Sequence, residues 1–431
     1  MFEMIEKVLW AVASGAIIVS GVYFSFRLRF VQFHFREMFT HLFRGSSNGI
    51  SSKDALMMSL AGRIGVGSVA GVALSIYLGG VGSVFWLLLS CFLSAPNTFC
   101  ETVLGSVYHE KDEGGVYKGG PAYYIRNGLG KNRLGSLYAF LILISYIGCF
   151  LGIQSNTITK SINEIVPVDG WIVGIVVSLL TFLIIFGGVK AIVGATNKIV
   201  PVMTFLYLFI SLYVIVVNIT RIPSIVCLVL KEAFQLKPFF SGFLGSFVIG
   251  LQRGIFSNEA GLGTGSMASA TSDNPSISQG YVQMIGIYIT TLIICGATAI
   301  IILTSDYQSL VFNDVNGIEI TQYAFQYHLG NVGNWFIFIS IVLFSFSTIL
   351  TGYYYGESSL KYFNGKLNNR WLIGLKLVTI GVLFFGCVMP STFLWSIVDI
   401  LVAFLVLINL YALFCLKDVI FSEISCYRRR K

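Results

Sequence analysis

Residues 250–265 read GLQRGIFSNEAGLGTG and lie inside an apolar run long enough to cross a membrane. The stretch holds five glycines together with Arg253 and Glu259. Hydrocarbon tolerates neither an unpaired charge nor backbone whose peptide groups lack partners, because each orphaned group costs several kcal/mol. A helix broken at that depth therefore lines a cavity or is enclosed by protein. A second interruption, residues 62–71 (GRIGVGSVAG), contains Arg63 and is loosened by Gly65, Gly67 and Gly71. The chemistry on offer is non-covalent: a half-helix N-terminus receives a carboxylate, and carbonyls released from the ladder receive a small cation such as sodium.

Bland readings compete with this one. Gly67/Gly71 and Gly261/Gly265 both fit the GxxxG spacing of close helix packing. A dinucleotide reading of the G-x-G pattern fails, since no strand precedes it. Ser257, Asn258 and Glu259 in a row are expensive in a span unless paired. Glu259 is expected to pair with Arg253 or Arg63 and tie the two breaks together, leaving the backbone around Phe256 for ligand contact. Gln154 and Asn156 either bond between helices or face a polar ligand. Ser345, Ser347 and Thr348 either bond back to their own helix or offer hydroxyls to sodium. Glu101 and Asp399 are further intramembrane acids, and an acid of this kind binds a proton in place of sodium or beside it.

These residues need a membrane scaffold. The chain is 55% hydrophobic and 11% charged, with mean hydropathy +0.80, against about 25% charged residues in a soluble domain. That composition excludes a soluble fold. Eleven apolar segments of spanning length fall near 7–26, 54–78, 81–107, 134–159, 170–187, 194–217, 240–270, 279–304, 333–360, 371–388 and 392–416. The first carries Glu3 and Glu6 on its flank with no cleavage site after it, so it is expected to stay as an anchor in the bilayer. Most of the basic residues, including Arg27, Arg29, Arg36, Lys53, Arg126, Lys131, Arg133 and the closing Arg428–Lys431, fall on one set of alternating loops. The net charge of +8 is thus a topology signal with the N-terminus outside and the C-terminus cytoplasmic, in a plasma (inner) membrane, rather than a nucleic-acid footprint.

Setting the first span aside leaves five and five, each set opening on an interrupted segment. An odd number per half inverts the second relative to the first. The expectation is an all-α polytopic membrane protein forming one transport domain: an extra N-terminal helix and loop (1–52), two five-helix repeats (53–220 and 221–416) and a basic tail (417–431). Residues 108–133 read as a turn-rich structured loop, and 318–329 as a short surface helix over the outer mouth. The eight cysteines are scattered with no CxxC pair, and the four histidines fall in loops without metal spacing, so no metal beyond sodium, no cofactor and no enzymatic triad is expected.

GRIGVGSVAGVA, FCETVLGSVYHEKDE followed by GGPAYYI, QSN, RGIFSNEAGLGTG, FSTIL with YYGE, and WSIVD occur in an order that resembles the alanine or glycine:cation symporters over nearly the whole chain. The resemblance implies the LeuT-type 5+5 inverted repeat and a sodium- or proton-coupled importer of small neutral amino acids. It places Val66, Gly67 and Ser68 at the break that receives the substrate carboxylate, and Asn156, Phe256, Thr348 and Gly352 at the substrate. Sodium would be held by carbonyls near Ala61, Ile64 and Phe344 and by the Ser347 and Thr348 hydroxyls. The family usually has G-T-G-N where this chain has Gly65-Val66-Gly67-Ser68, and tryptophan where it has Gly352. A glycine there implies a larger pocket and a larger substrate such as glutamine, unless Tyr353 or Tyr354 refills the space. A channel or ligand sensor on the same scaffold is the alternative from another class.

Overall fold

The computed structural model describes residues 2–43, 50–111, 115, 117–234, 243–309, 317–363 and 369–429; the start of the segment at 240–270 and the last two tail residues lie outside them. Apart from a two-residue hairpin (Glu110–Lys111 with Tyr117–Lys118) and one isolated bridge, the described secondary structure is helical. We number the helices α1 (Phe2–Arg27), α2 (Phe35–Leu42), α3 (Ser52–Arg63), α4 (Ala70–Gly79), α5 (Ser83–Val107), α6 (Pro121–Leu129), α7 (Asn132–Asn163), α8 (Gly170–Ile185), α9 (Gly188–Val217), α10 (Ile222–Ala233), α11 (Phe243–Asn258), α12 (Thr264–Ser269), α13 (Ser276–Thr304), α14 (Ile318–Leu329), α15 (Asn331–Phe363), α16 (Asn369–Gly386), α17 (Ser391–Cys415) and α18 (Lys417–Arg429). Seven are long and apolar enough to cross a membrane by themselves: α1, α5, α7, α9, α13, α15 and α17. Their outer faces carry exposed apolar side chains such as Val19, Phe205 and Leu212, as a lipid solvent requires.

The two interruptions are real breaks. Helix α3 starts on a capping box, in which the Asp54 amide donates to Ser51 Oγ and the Ser51 amide to the Asp54 carboxylate. It stops at Ile64 because Gly65 is extended (φ −123°, ψ −157°). One 3₁₀ turn follows before α4 resumes for 10 residues, about 15 Å or half a bilayer. Helix α11 ends at Asn258, whose Oδ1 accepts from the Ala260 amide. The chain then turns through Glu259, Gly261 and Gly263, all at positive φ (52°, 82° and 93°), into the six-residue α12. Glycine takes that conformation freely; a glutamate held there stores strain, which is characteristic of functional sites.

The broken helices pack crosswise, α3 against α12 and α4 against α11. Helix α5 packs on α13, α7 on α15 and α8 on α16. Helix α1 lies against α17 and α5; at Gly21 an added Cβ would sit 1.9 Å from the Leu93 carbonyl oxygen. The GGPAYYI segment opens α6 with Pro121 in its first turn. Helix α14 forms over the expected residues but is more than a surface element: Ile318, Ile320, Thr321, Gln322, Ala324 and Phe325 are buried against its neighbours.

Candidate functional site

The breaks meet face to face. A Cβ on Gly67 would stand 3.1 Å from the Phe256 ring and 3.3 Å from Ser257 Cα. Ser68 Oγ lies 2.9 Å from Ser257 Oγ and donates to the Arg63 carbonyl, so the shortened polar group at position 68 is spent joining one break to the other. Val66 is buried, and its amide donates to Gln154 Oε1 at 3.2 Å. Gln154 Nε2, also buried, has no protein partner. The QSN motif therefore sends its glutamine to the first break. Asn156 instead donates to the carbonyls of Gly386 and Met389 at the end of α16, its Oδ1 left unpartnered.

Next to the break, α15 closes an oxygen cluster. Thr348 Oγ1 lies 2.9 Å from both the Ala61 and Phe344 carbonyl oxygens, and Ser347 Oγ lies 3.3 Å and 2.9 Å from the same two. Ile64 has left helical geometry beside them (φ −84°, ψ 74°). Gly65 leaves room for the cluster, since a Cβ there would come within 2.5 Å of Thr348 Oγ1. Four neutral oxygens on two helices suit a hard monovalent cation.

The intramembrane charges pair differently from the sequence expectation. Glu259 joins neither arginine in an ion pair. Its oxygens accept from Tyr146 and Thr264, each at 2.7 Å. Arg253 reaches 146 residues along the chain to Asp399, with Nη2–Oδ2 2.6 Å and Nη1–Oδ1 3.2 Å. Arg63 donates Nη1 to the Gln283 carbonyl at 3.0 Å and lies in a slot made by Gly265 and Gly286, where added Cβ atoms would be 2.3 Å and 2.6 Å from its guanidinium. Gly265 is thus close-packed, against an arginine and not another backbone, while Gly71 has open space around it. The GxxxG reading of Gly67/Gly71 therefore finds no support. Glu101 accepts from Asn409 at 2.8 Å, and Asn409 also holds the Gly261 carbonyl and the Tyr124 hydroxyl.

A cavity of about 430 Å³ descends to this region, lined among others by Glu6, Asn156, Lys160, Arg253, Trp395 and Asp399. In its lining the Trp395 ring is tilted against Phe256, centroids 4.9 Å apart, and lies 5.1 Å under the Arg253 guanidinium. Phe150 covers the other side of Phe256 at 5.2 Å. Trp395 opens the WSIVD motif but was given no role there, and Phe150 carried no individual sequence signal, because one aromatic among 36 Phe is indistinguishable without its neighbours. Helices α7 and α13 each contain a π-helical stretch here, Leu143–Phe150 and Ile289–Cys295, a widening that tends to mark functional sites. Gly352 faces α7; a Cβ would meet Leu151 at 2.8 Å and Tyr146 at 3.4 Å. Those two side chains, and not Tyr353 or Tyr354, stand where a larger residue would.

The sodium:alanine symporter family model matches residues 1–431. The chain belongs to the sodium:alanine symporter family. It is 35% identical to the "Probable sodium/glutamine symporter GlnT" of Bacillus subtilis (strain 168), covering 99% of this chain and 90% of that protein. It is 36% identical to the "Putative sodium/proton-dependent alanine carrier protein YrbD" of the same organism, covering 99% and 92%. It is 31% identical to the "Sodium/alanine symporter AgcS" of Methanococcus maripaludis, covering 95% and 92%. In fold it is similar to a crystal structure of an Eremococcus coleocola manganese transporter mutant (TM-score 0.54, 14% identity, 86% of this chain and 78% of that one). As a member of the sodium:alanine symporter family, the chain is a multi-pass membrane transporter and not an enzyme.

Proposed function

We propose that the protein is a secondary active symporter of the plasma membrane that imports small neutral amino acids with sodium by alternating access. The observation that carries this reading is the convergence of the Ala61 and Phe344 carbonyls with the Ser347 and Thr348 hydroxyls beside a broken helix. Eleven spans with an inverted five-plus-five repeat account for the architecture: the seven long helices, α8, α16 and the two broken pairs add up to that number. The crossed packing of α3 on α12 and α4 on α11 is what an antiparallel pair of repeats produces. The bias of the basic loops supports a cytoplasmic C-terminus and a 430 Å³ cavity that opens to the outside.

The substrate carboxylate docks at the first break, between Val66 and Ser68 and the N-terminus of α4, where the half-helix dipole is positive. Phe256 forms the apolar wall and Gln154 Nε2 supplies a free donor beside it. Sodium supplies the neighbouring positive charge and links the first broken segment to α15. Closure of the outer path falls to Trp395 and the Arg253–Asp399 pair. Binding drives the cycle only through unequal affinity for the outward and inward states.

Sodium-driven accumulation of radiolabelled alanine in proteoliposomes, abolished in Thr348→Ala, is the expected result. Equilibration without accumulation would overturn the symport reading in favour of the channel or sensor alternative. A relative whose name is that of a glutamine symporter keeps the larger-substrate alternative in view. Against it, Leu151 and Tyr146 occupy the space beside Gly352. Glutamine competing as well as alanine for uptake would reverse this preference. A proton gradient replacing sodium would assign the coupling ion the other way.

A further inference from the structure

We propose that the corner where α1 ends against α18 is a binding site for an anionic phospholipid, its phosphate held by Arg27, Arg29 and Arg428 and its acyl chains laid along Phe26, Phe30 and Phe33. The backbone builds this corner at a cost. Arg29 and Phe30 are both left-handed (φ 59° and 54°), a conformation that is rare for a non-glycine residue and an outlier for a bulky one. The turn is held by the Phe30 amide on the Ser25 carbonyl at 2.6 Å and the Leu28 amide on Phe24 at 2.8 Å. It is pinned from below by Gln32, whose side chain donates to Ser25 Oγ and whose carbonyl accepts from Tyr288. The result is to throw Arg29 and Phe30 outward while Leu28 and Val31 go inward.

Helix α18 then brings a third guanidinium to the same place. Arg428 donates to the Leu28 carbonyl at 3.3 Å, and Arg27 lies 4.9 Å from the Phe421 ring of the same helix. Among the described residues, Arg27, Arg29 and Arg428 have no carboxylate partner. Arg27 and Arg29 flank Leu28, whose carbonyl Arg428 holds, so three permanent cations share this corner, and a phosphate diester answers them with charge-assisted bonds. The adjoining ledge says what carries the phosphate. Phe26, Phe30 and Phe33 are 67%, 44% and 50% exposed, and their rings run in sequence with centroids 5.2 Å and 6.5 Å apart. Exposed aromatics beside arginines at the end of a membrane span match the headgroup–acyl boundary, where apolar surface and anionic charge lie within a few ångströms of each other. A free inorganic anion would satisfy the arginines and leave the ledge uncovered.

The test is thermal stability of the full-length protein in detergent with added dioleoyl phosphatidylglycerol, dioleoyl phosphatidylcholine or sn-glycerol 3-phosphate, together with native mass spectrometry of retained lipid. Phosphatidylglycerol should raise Tm by about 2 °C more than phosphatidylcholine. That difference should vanish in Arg27→Gln/Arg29→Gln/Arg428→Gln and persist in Arg133→Gln, which removes a charge at the start of α7. Should the triple variant fail to fold, Arg29→Gln alone should still lower phosphatidylglycerol retention at least threefold. Equal shifts from both lipids, or a triple variant that keeps the difference, would overturn the proposal. Glycerol phosphate reproducing the whole shift would overturn it too, by making this a small-anion site.

Discussion

Arg253 and Asp399 form a two-pronged ion pair in the wall of the cavity, bridging α11 at the second break to α17 in the last span. Both side chains are nearly inaccessible (5% and 2% exposed), and Trp395 packs under the guanidinium. Removing one partner of such a pair leaves a buried charge unanswered, at a cost of about 3–5 kcal/mol. We expect Asp399→Asn to cut the initial rate of alanine uptake at least tenfold at equal protein density in proteoliposomes. Arg253→Lys should also be impaired, because an ammonium cannot make the parallel bonds. Wild-type uptake by Asp399→Asn would remove this pair from the gating account.

The oxygen cluster predicts a graded response to sodium. Thr348→Ala should raise the half-saturating sodium concentration at least tenfold, while Thr348→Ser, which keeps the hydroxyl, should stay within about threefold of wild type; a tenfold change corresponds to about 1.4 kcal/mol. Sodium activation curves of uptake measure this directly. Equal effects of the two substitutions would mean that the threonine methyl, and not its oxygen, is what matters.

Two glycines of the first break separate crowding from chain freedom. Gly65→Ala places a methyl 2.5 Å from Thr348 Oγ1, whereas a methyl on Gly71 meets nothing within 4 Å. We expect Gly65→Ala to abolish sodium-dependent uptake with the protein still in the membrane, and Gly71→Ala to keep more than half of wild-type uptake. Comparable losses at both positions would mean that backbone freedom, and not the steric fit to α15, governs the break.

Helix α14 carries a pH response. His328 of α14 contacts Thr304 Oγ1 at 3.0 Å and the Ile301 carbonyl at 3.2 Å. Burial holds its pKa below the usual histidine value; the Ile301 bond opposes this in part, and the nearby Arg221 adds a smaller push downward. A histidine depressed in the fold binds fewer protons there than in the unfolded chain. Its contribution is therefore complete above the unfolded pKa and is lost as pH falls through the folded one. Tm in detergent should drop on acidification from roughly pH 7 to pH 5, and His328→Gln should flatten part of that drop. An unchanged slope would place the acid sensitivity elsewhere, with His109, also depressed by burial, the next to replace.

Much of this site was legible in the amino-acid order. The glycine-rich breaks, the charges inside them and the hydropathy of the spans all follow from local composition, because the bilayer forbids loose backbone and bare charge wherever the chain crosses it. Both breaks stand where the glycines and polar runs placed them, and α14 occupies the residues its pattern suggested. Motif order carried the resemblance to the symporter family over the whole chain.

Partnership was not legible. Glu259 has two arginines within reach on paper and pairs with neither; its oxygens go to a tyrosine 113 residues earlier and a threonine five residues on. Arg253 finds an aspartate 146 residues away, and Gln154 reaches the break while its neighbour Asn156 turns to α16. Leu151 fills the space beside Gly352, which no reading of position 352 alone would suggest. Which residues enter the membrane, and where the helix must open there, depend on transfer free energies and backbone freedom that each segment carries by itself. Which side chain meets which depends on how helices far apart in the chain are rotated and stacked, and only the packed bundle sets that.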